Sequence, residues 1–139
     1  MHPAFEFEFN NYRLLAIEAE AKVGANWIST AVGKKFLALN YQIRKRIPSD
    51  PGRPEFRLGN ALGSQYKHWF RGKFLQQYRV FFRYSSKSNA IAYGWVNNDE
   101  TLRAYGSASD AYQVFKKMLE SGRIPNDWDE LLSESKKLN

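Results

Sequence analysis

Cysteine is absent from the 139-residue chain, and histidine occurs only twice, at His2 and His68. Without cysteine there is no disulfide framework and no thiolate chemistry, which suits the reducing cytoplasm where we expect the protein. No segment approaches the ~20 consecutive apolar residues of a membrane span, and the N-terminal MHPAFEFEF lacks the order of a signal peptide. We therefore expect neither export nor a membrane partner.

Acidic residues are missing from the middle third of the chain. Between Phe56 and Asn98 there is no Asp or Glu, whereas seven cations lie there: Arg57, Lys67, Arg71, Lys73, Arg79, Arg83 and Lys87. Lys and Arg total 21 and Asp and Glu total 14, so the rest of the chain is formally neutral and the net charge of +7 resides in this segment. Such a concentrated charge indicates a polyanionic partner, nucleic acid first among them.

Several classes of catalytic site lack the residues they need. Two histidines far apart in sequence are too few for a zinc hydrolase, and the basic segment has no clustered carboxylates for a two-metal nuclease. Gly59 and Gly63 are not followed by the Lys-Ser or Lys-Thr pair of a phosphate-binding loop. No nucleophile elbow occurs, although composition alone does not exclude a Ser-His-Asp triad. We predict no metal and no cofactor.

The length and the apolar periodicity predict a single α+β domain over residues 1–139. Apolar residues at spacings of three and four predict a helix from Pro3 to Gly24 and a second from Trp27 to Ile47, although the alternation in FEFEF also fits a strand. A loop rich in Pro and Gly follows over residues 48–65. The period then changes to two in HWFRGKF, YRVFFRY and NAIAYGWVNN, which predicts three strands of an antiparallel meander.

Two C-terminal helices complete the predicted fold. Asp110 is an N-cap for AYQVFKKMLESG, which Gly122 closes, and Asn126 or Asp127 caps a last helix through DELLSESKK. The prediction is therefore N-terminal helices packed on an antiparallel sheet, followed by C-terminal helices. On this sheet, one face of the second strand carries Arg79, Phe81 and Arg83.

The strand pair HWFRGKFLQQYRVFFRY interleaves cations with aromatic residues. Transfer of an RNA phosphodiester bond needs no metal, because the 2′-hydroxyl of the substrate is its own nucleophile and the protein has only to orient it, stabilise charge and move protons. Arg supplies fixed donors for phosphate, Lys can transfer protons, and aromatic side chains can stack bases. For an arbitrary protein the commoner interpretation is a solvated basic face, with the aromatic residues in the core.

Six segments carry a family resemblance: RLGNALGS, HWFRGKF, YRVFFRYS, GWVNNDETLRAYG, DAYQVFKKML and PNDWDEL. Together they closely resemble the YhaV-type toxins of type II toxin–antitoxin systems, a branch of the RelE superfamily, and the N-terminal helices match in outline from HPAF. The resemblance implies a RelE-like fold with a twisted sheet. It also implies a metal-independent mRNA endoribonuclease that works with the ribosome and leaves a 2′,3′-cyclic phosphate.

The resemblance also implies roles for particular residues. Arg71 and Arg79 would bind the phosphate and the charge of the transition state, and Lys73 would transfer a proton or bind the backbone. Arg103 with Tyr105 is the first choice for the later functional pair, and Tyr112 competes for the role of the tyrosine. Further contacts with RNA are expected from His68, Trp69, Arg83 and Tyr112.

A partner is implied as well, namely an AbrB-like antitoxin of the PrlF type, which together with the toxin would bind operator DNA. An acidic antitoxin segment could cover the basic site. Two other functions stay open at this point. One is a toxin of the same fold that inhibits gyrase, as in the related ParE branch, and the other is an RNA-binding module without catalysis.

Overall fold

The computed structural model describes residues 1–138 of the chain. Within them, helices surround an antiparallel sheet, which confirms the predicted α+β class. The helices and strands follow one another as α1 (Pro3–Val23), α2 (Ala31–Tyr41), α3 (Ile47–Ser49), β1 (Phe70–Phe74), β2 (Tyr78–Ser85), β3 (Ala90–Val96), α4 (Ala111–Glu120) and α5 (Trp128–Glu134). None of the helices in this part of the chain has the length together with the apolar character that crossing a membrane requires.

The first segment is helical throughout, so the strand interpretation of FEFEF is wrong. His2 caps α1, its Nδ1 accepting a hydrogen bond from the Ala4 N–H, and Pro3 fits the first helical position, where no N–H donor is needed. Phe5 and Phe9 then fall on the buried side of the helix. The alternation extends over five residues only, whereas the helix continues for 21 residues.

The second helix begins later than predicted. Thr30 is its N-cap, with Oγ1 accepting from the Gly33 N–H at 3.1 Å. Trp27 and Ile28, which the prediction placed in this helix, lie before it in a 3₁₀ segment, and Ile28 is exposed. The helix continues past Tyr41 through a π-helical turn (Gln42–Arg46) into α3.

The strands form the predicted meander in the order β1-β2-β3, with each neighbouring pair antiparallel. The register pairs Arg71 with Phe81 and Lys73 with Arg79. The predicted basic faces of β1 and β2 therefore coincide. The turn between them is tight, with Leu75 and Gln76 both at positive φ.

Both faces of the sheet carry packed side chains, so the basic face of the strands is not simply a solvated surface. The first core lies between one face of the sheet and α1 and α2, with Val80 and Phe82 from β2. The second core lies on the other face, where Phe81 and Trp69 pack against α4, α5 and the segment over residues 58–66. The predicted loop over residues 48–65 thus contributes buried side chains, Leu58 and Leu62 among them.

Single capping carboxylates start the C-terminal helices. Asp110 accepts from the Tyr112 N–H at 3.1 Å, as predicted, and Asp127 rather than Asn126 caps α5 by accepting from the Glu130 N–H at 3.0 Å. The last helix ends at Glu134, three residues before the predicted end.

The two outer edges of the sheet are each in contact with another part of the chain. Beside β3, the His2 N–H donates to the Tyr93 carbonyl at 2.9 Å. Beside β1, Arg57 forms an isolated antiparallel bridge with Phe70. Gln42, just after α2, also reaches β1, where its Nε2 donates to the Lys73 carbonyl at 3.5 Å.

Gly94 makes room for the largest side chain of the second core. The register shifts between Phe81 and Phe82, which face Trp95 and Tyr93, so Gly94 is an extra residue in β3. A Cβ at Gly94 would lie 2.8 Å from the ring of Trp69, whose side chain is fully buried. Only glycine leaves this space, since real Cβ atoms do not approach a ring so closely.

We expect Gly94→Ala to lower the free energy of unfolding by about 1–3 kcal/mol, because Trp69 has to move within a packed core. Urea unfolding followed by tryptophan fluorescence measures this. The matched control is Gly52→Ala, where the new Cβ would lie 3.9 Å from the ring of Tyr84, an ordinary contact. Equal stability of the two variants would contradict the close packing at Gly94.

Candidate active site

Three cations from adjacent strands form the base of the site. Arg71 and Lys73 alternate with Gly72 on β1, and Arg79 on β2 is the cross-strand partner of Lys73. Directly opposed residues of an antiparallel pair have Cβ atoms about 4.5–5.5 Å apart, so like charges here repel. This pairing does not stabilise the sheet. The concentrated positive charge therefore indicates a functional role.

Arg71 is partly exposed and incompletely bonded. One terminal nitrogen, Nη1, donates to the carbonyl of Arg57. Its Nε is buried, and within residues 1–138 it has no hydrogen-bond partner. A buried donor without a partner is costly, so stability alone does not favour an arginine at this position.

Lys73 is exposed and lies in the field of its neighbours. The positive charge of Arg71 lowers the pKa of the Lys73 ammonium, with smaller contributions from partial burial and from Arg79. Like charges nearby disfavour the protonated form, so this lysine gives up a proton more readily than an isolated one. That property suits a group that transfers protons.

Arg79 is only 7 % exposed, and most of its donors are already engaged. Its Nε donates to the Tyr112 hydroxyl at 3.2 Å, and Nη1 donates to the carbonyls of Gln76 and Tyr78 at 2.7 and 2.9 Å. The guanidinium is therefore fixed in place and leaves Nη2 as the group that can reach a phosphate.

A stacked layer lies above these strands. The guanidinium carbon of Arg103 is 3.6 Å from the ring centre of Tyr105 and 4.4 Å from that of Tyr112. Tyr105 is 89 % exposed, whereas Tyr112 is buried. Tyr105 is thus the tyrosine that an incoming nucleotide can reach.

Asp110 holds this layer in position. Its carboxylate is 1 % exposed and accepts from Arg103 Nη1 and from the Ala104 N–H, both at 2.6 Å, in addition to capping α4. The sequence indicated Asp110 only as a helix cap. Its second role could have been inferred only from knowing that residues 103–105 fold back onto α4.

Asn97 is a second residue that sequence reasoning missed. Its side chain is fully buried, with Oδ1 accepting from the Arg79 N–H at 2.7 Å and Nδ2 donating to the carbonyls of Gln77 and Thr101 at 3.0 and 2.8 Å. It joins the β1–β2 turn to the segment that leads to Arg103. A polar residue directly after an apolar strand was the only signal in the sequence.

Three of the four predicted RNA contacts, His68, Trp69 and Arg83, form a separate group around Asn126. Arg83 donates to the Asn126 carbonyl at 2.6 Å, and Asn126 Oδ1 lies 3.0 Å from His68 Nε2 and 2.9 Å from Trp69 Nε1. Burial lowers the pKa of His68, as does the charge of Arg83. Arg83 is the fourth residue after Arg79, which places it roughly 13 Å further along the strand. This group therefore lies beside the site and not within it.

Two of the predicted RNA contacts are buried packing residues. Trp69 is enclosed by the second core, where its ring meets Phe115 edge-on at 5.0 Å, and it has no free face for a base. Tyr112 likewise packs against Phe81. Trp69 is covered because α4 packs on its face of the sheet, and Tyr112 is buried because it lies on the side of α4 that packs there.

No three His, Asp or Glu side chains among residues 1–138 are grouped as a metal site would require. What these residues do offer is a set of fixed cations with one exposed tyrosine: Arg71, Lys73, Arg79, Arg103 and Tyr105. Such a set can bind a phosphate group and stabilise negative charge that develops on it.

A cluster of cations beside an exposed tyrosine on an α+β scaffold is typical of proteins that act on nucleic acids. Comparison with known families makes this specific. Residues 1–136 match the YhaV toxin family, described as toxins with endonuclease activity from toxin–antitoxin systems, and the chain belongs to this family.

Individual relatives agree with the family assignment. Toxin YhaV of Escherichia coli O6:H1 is 42 % identical to this chain. The match covers 96 % of this chain and 88 % of the relative. The protein named ribonuclease toxin YhaV in Escherichia coli K12 is 41 % identical with the same coverage. No solved structure matches the chain.

Proposed function

We propose that this toxin is a metal-independent endoribonuclease that cleaves mRNA in association with the ribosome. The observation that carries the proposal is the juxtaposition of Arg71, Lys73 and Arg79, with Arg103 and Tyr105 above them. A relative that is 41 % identical carries the name ribonuclease toxin, which supports RNA as the substrate. The RelE-like classification of the fold is part of the same proposal.

The reaction we propose needs only groups of this chain and of the RNA. The 2′-oxygen of the substrate forms a bond to the adjacent phosphorus, and the bond from phosphorus to the 5′-oxygen breaks. The 2′-hydroxyl loses its proton, the departing 5′-oxygen gains one, and the products are a 2′,3′-cyclic phosphate and a 5′-hydroxyl end. No oxidant, reductant or metal enters this balance.

Each basic residue has a role in this proposal. Arg71, whose side chain is partly exposed, binds a non-bridging phosphate oxygen. Arg79 stabilises the same phosphate or the leaving oxygen through Nη2, since its Nε and Nη1 are already bonded. Lys73 transfers a proton, which the lowering of its pKa by Arg71 favours. These donors act on charge that grows in the transition state.

Analysis of RNA ends tests the reaction. The purified toxin is incubated with a defined free transcript in EDTA and, separately, with the same transcript in a translating extract. New ends with a 2′,3′-cyclic phosphate in either setting support the proposal, and their restriction to the extract supports ribosome dependence. Intact RNA in both settings, or ends with a 3′-hydroxyl, would contradict it.

Replacement of Tyr105 should lower mainly the cleavage rate, whereas replacement of Tyr112 should lower mainly the free energy of unfolding. We expect Tyr105→Ala to slow cleavage about tenfold, because the exposed ring is lost as a surface for stacking a base. Tyr112→Phe removes the acceptor of Arg79 Nε and should cost about 1 kcal/mol in the free energy of unfolding, with a smaller change in rate. Single-turnover cleavage and urea unfolding measure both. A larger rate loss in Tyr112→Phe would reverse the assignment.

A toxin of a toxin–antitoxin system implies an antitoxin partner. We propose that this partner is AbrB-like, of the PrlF type, and that the toxin–antitoxin complex binds operator DNA mainly through the antitoxin. We also propose that the toxin acts in the cytoplasm, where translated messages are found. Purified toxin–antitoxin complex that fails to bind its own promoter fragment would contradict the operator proposal.

A further inference from the structure

Exposed apolar side chains are concentrated on the N-terminal helices. In the described part of the chain, eleven large apolar side chains are exposed, and eight of them lie between Phe7 and Tyr41. Scattered exposed leucines are ordinary, but a contiguous apolar patch marks an interaction site. Three of the eight, Phe7, Leu14 and Leu15, line one groove. The remaining three of the eleven exposed side chains are Leu75, Tyr105 and Leu132, of which Tyr105 belongs to the basic site.

Part of this surface is a groove of about 590 Å³ between α1, α2 and the segment over residues 98–100. Its apolar lining comes from one side of α1, where Phe7, Leu14 and Leu15 are 62 %, 53 % and 49 % exposed. Val32 of α2 faces them. The dimensions and the stripe of apolar residues suit an inserted protein segment.

The groove is acidic although the chain as a whole is basic. Of the described residues that line it, four carry carboxylates, and Lys35, the only cation among them, is bonded to Asp99 at 2.9 Å. The other three carboxylates belong to Glu8, Glu18 and Glu100. The local charge is therefore about −3 on a chain of +7. This charge selects a partner that carries Lys or Arg.

Glu8 is the carboxylate best placed for such a partner. It is more than nine-tenths buried at the wall of the groove and accepts from Asn98 Nδ2 at 2.9 and 3.3 Å. Burial raises its pKa, and although Arg123 acts on it through space, no cation within the described residues forms an ion pair with it. A Lys or Arg of a partner would supply that missing charge.

The charge of the groove also excludes other occupants. RNA would be repelled by the carboxylates. A symmetric dimer through this groove would set its like charges against those of the second copy, because the same surface meets itself about a two-fold axis.

The groove lies close to the active site along the chain. It is on the face of the first core, and the segment that forms its rim continues into Arg103 and Tyr105. Three residues connect Glu100 to Arg103, which span at most about 10 Å. A partner seated in the groove is thus within short reach of the basic site.

We propose that the groove binds an apolar segment of the antitoxin that carries Lys or Arg at its edges. The assignment rests on the proposed antitoxin partnership and is independent of the cleavage chemistry. The segment is held by burial of the apolar stripe and by ion pairs with the acidic rim. From there the antitoxin continues past residues 98–105 to cover the site.

The test is the affinity of purified toxin variants for the antitoxin encoded beside the toxin gene. Leu15→Ser should weaken binding about ten- to a hundredfold, because an exposed apolar contact is lost from the interface. Glu18→Lys should weaken it about tenfold, and added salt should reduce the difference between this variant and the unchanged toxin. Isothermal titration at two salt concentrations measures both.

Matched controls separate the groove from the rest of the surface. Leu132→Ser changes an exposed leucine on α5, and Glu20→Lys reverses an exposed charge of α1 outside the groove; both should bind like the unchanged toxin. The groove variants should also cleave RNA at the unchanged rate without antitoxin and should need more antitoxin for inhibition.

The outcomes distinguish the two proposals. If the groove variants bind antitoxin within twofold of the unchanged toxin, the docking proposal is overturned whatever the nuclease result. If they lose affinity and no variant cleaves RNA, docking stands and the cleavage proposal falls. If Leu15→Ser instead converts an oligomeric toxin to a monomer with unchanged antitoxin affinity, a second copy of the chain occupies the groove and the docking proposal is overturned.

Discussion

Arg71→Ala is expected to slow RNA cleavage by about 10²- to 10³-fold, the usual loss when one preorganised donor to transition-state charge is removed. The stability should change little, because Arg71 is partly exposed and its one hydrogen bond goes to the carbonyl of Arg57. The buried, unpartnered Nε is removed with the side chain, which offsets part of any loss. Single-turnover cleavage of a defined transcript measures the effect.

Arg13→Ala is the matched control for this result. It removes an equal charge from an exposed position on α1, outside the basic site. If the loss of rate came only from the lower net charge and weaker attraction of RNA, both variants would slow cleavage alike and the difference would vanish in high salt. A well-folded Arg71→Ala toxin that still arrests growth fully would remove Arg71 from the mechanism.

Asp110→Ala is expected to be the most destabilising single change at the site, by about 3 kcal/mol in the free energy of unfolding. It breaks the ion pair with Arg103, removes the cap of α4 and leaves the Ala104 N–H without its acceptor. The side chain of Arg103 is partly exposed, so water can solvate its charge after the ion pair is lost. The expected loss of free energy is therefore at the lower end of the range for a broken buried ion pair. Urea unfolding measures it.

Asp127→Ala is the control for Asp110→Ala. Asp127 caps α5 from an exposed position, so its replacement should cost only about 1 kcal/mol. Cleavage should also distinguish the two, since Asp110→Ala frees Arg103 from its place above Lys73. Equal destabilisation by the two changes would show that the Arg103 ion pair adds nothing to the cap.

The strand register was predictable because the turn at Leu75 to Gln77 is short and the basic alternation on either side is regular. Pairing follows from these two facts, and with it the proximity of Lys73 and Arg79. The burial of Arg79 and Tyr112 was not predictable in the same way. It depends on α4 lying over the sheet, and the amphipathic pattern of α4 does not say which face it covers.

The groove could not be predicted from the sequence for a related reason. Leu14 and Leu15 read as ordinary members of a helical segment, and Asp99 and Glu100 as polar loop residues. Their meeting depends on the hydrogen bonds between Asn98 and Glu8, which are 90 residues apart in the chain. Long-range contacts of this kind leave no periodic signal.

The contacts along the sheet edges restrict how any protein can join this toxin. An antitoxin that bound by β-augmentation would need a free row of N–H and C=O groups along β1 or β3. The His2 N–H already donates to the Tyr93 carbonyl on β3. On β1, Arg57 bridges Phe70, and Gln42 Nε2 donates to the Lys73 carbonyl. Recognition by an added strand would first have to displace these segments, so inhibitors that fill surface grooves with side chains suit this toxin better than extended peptides.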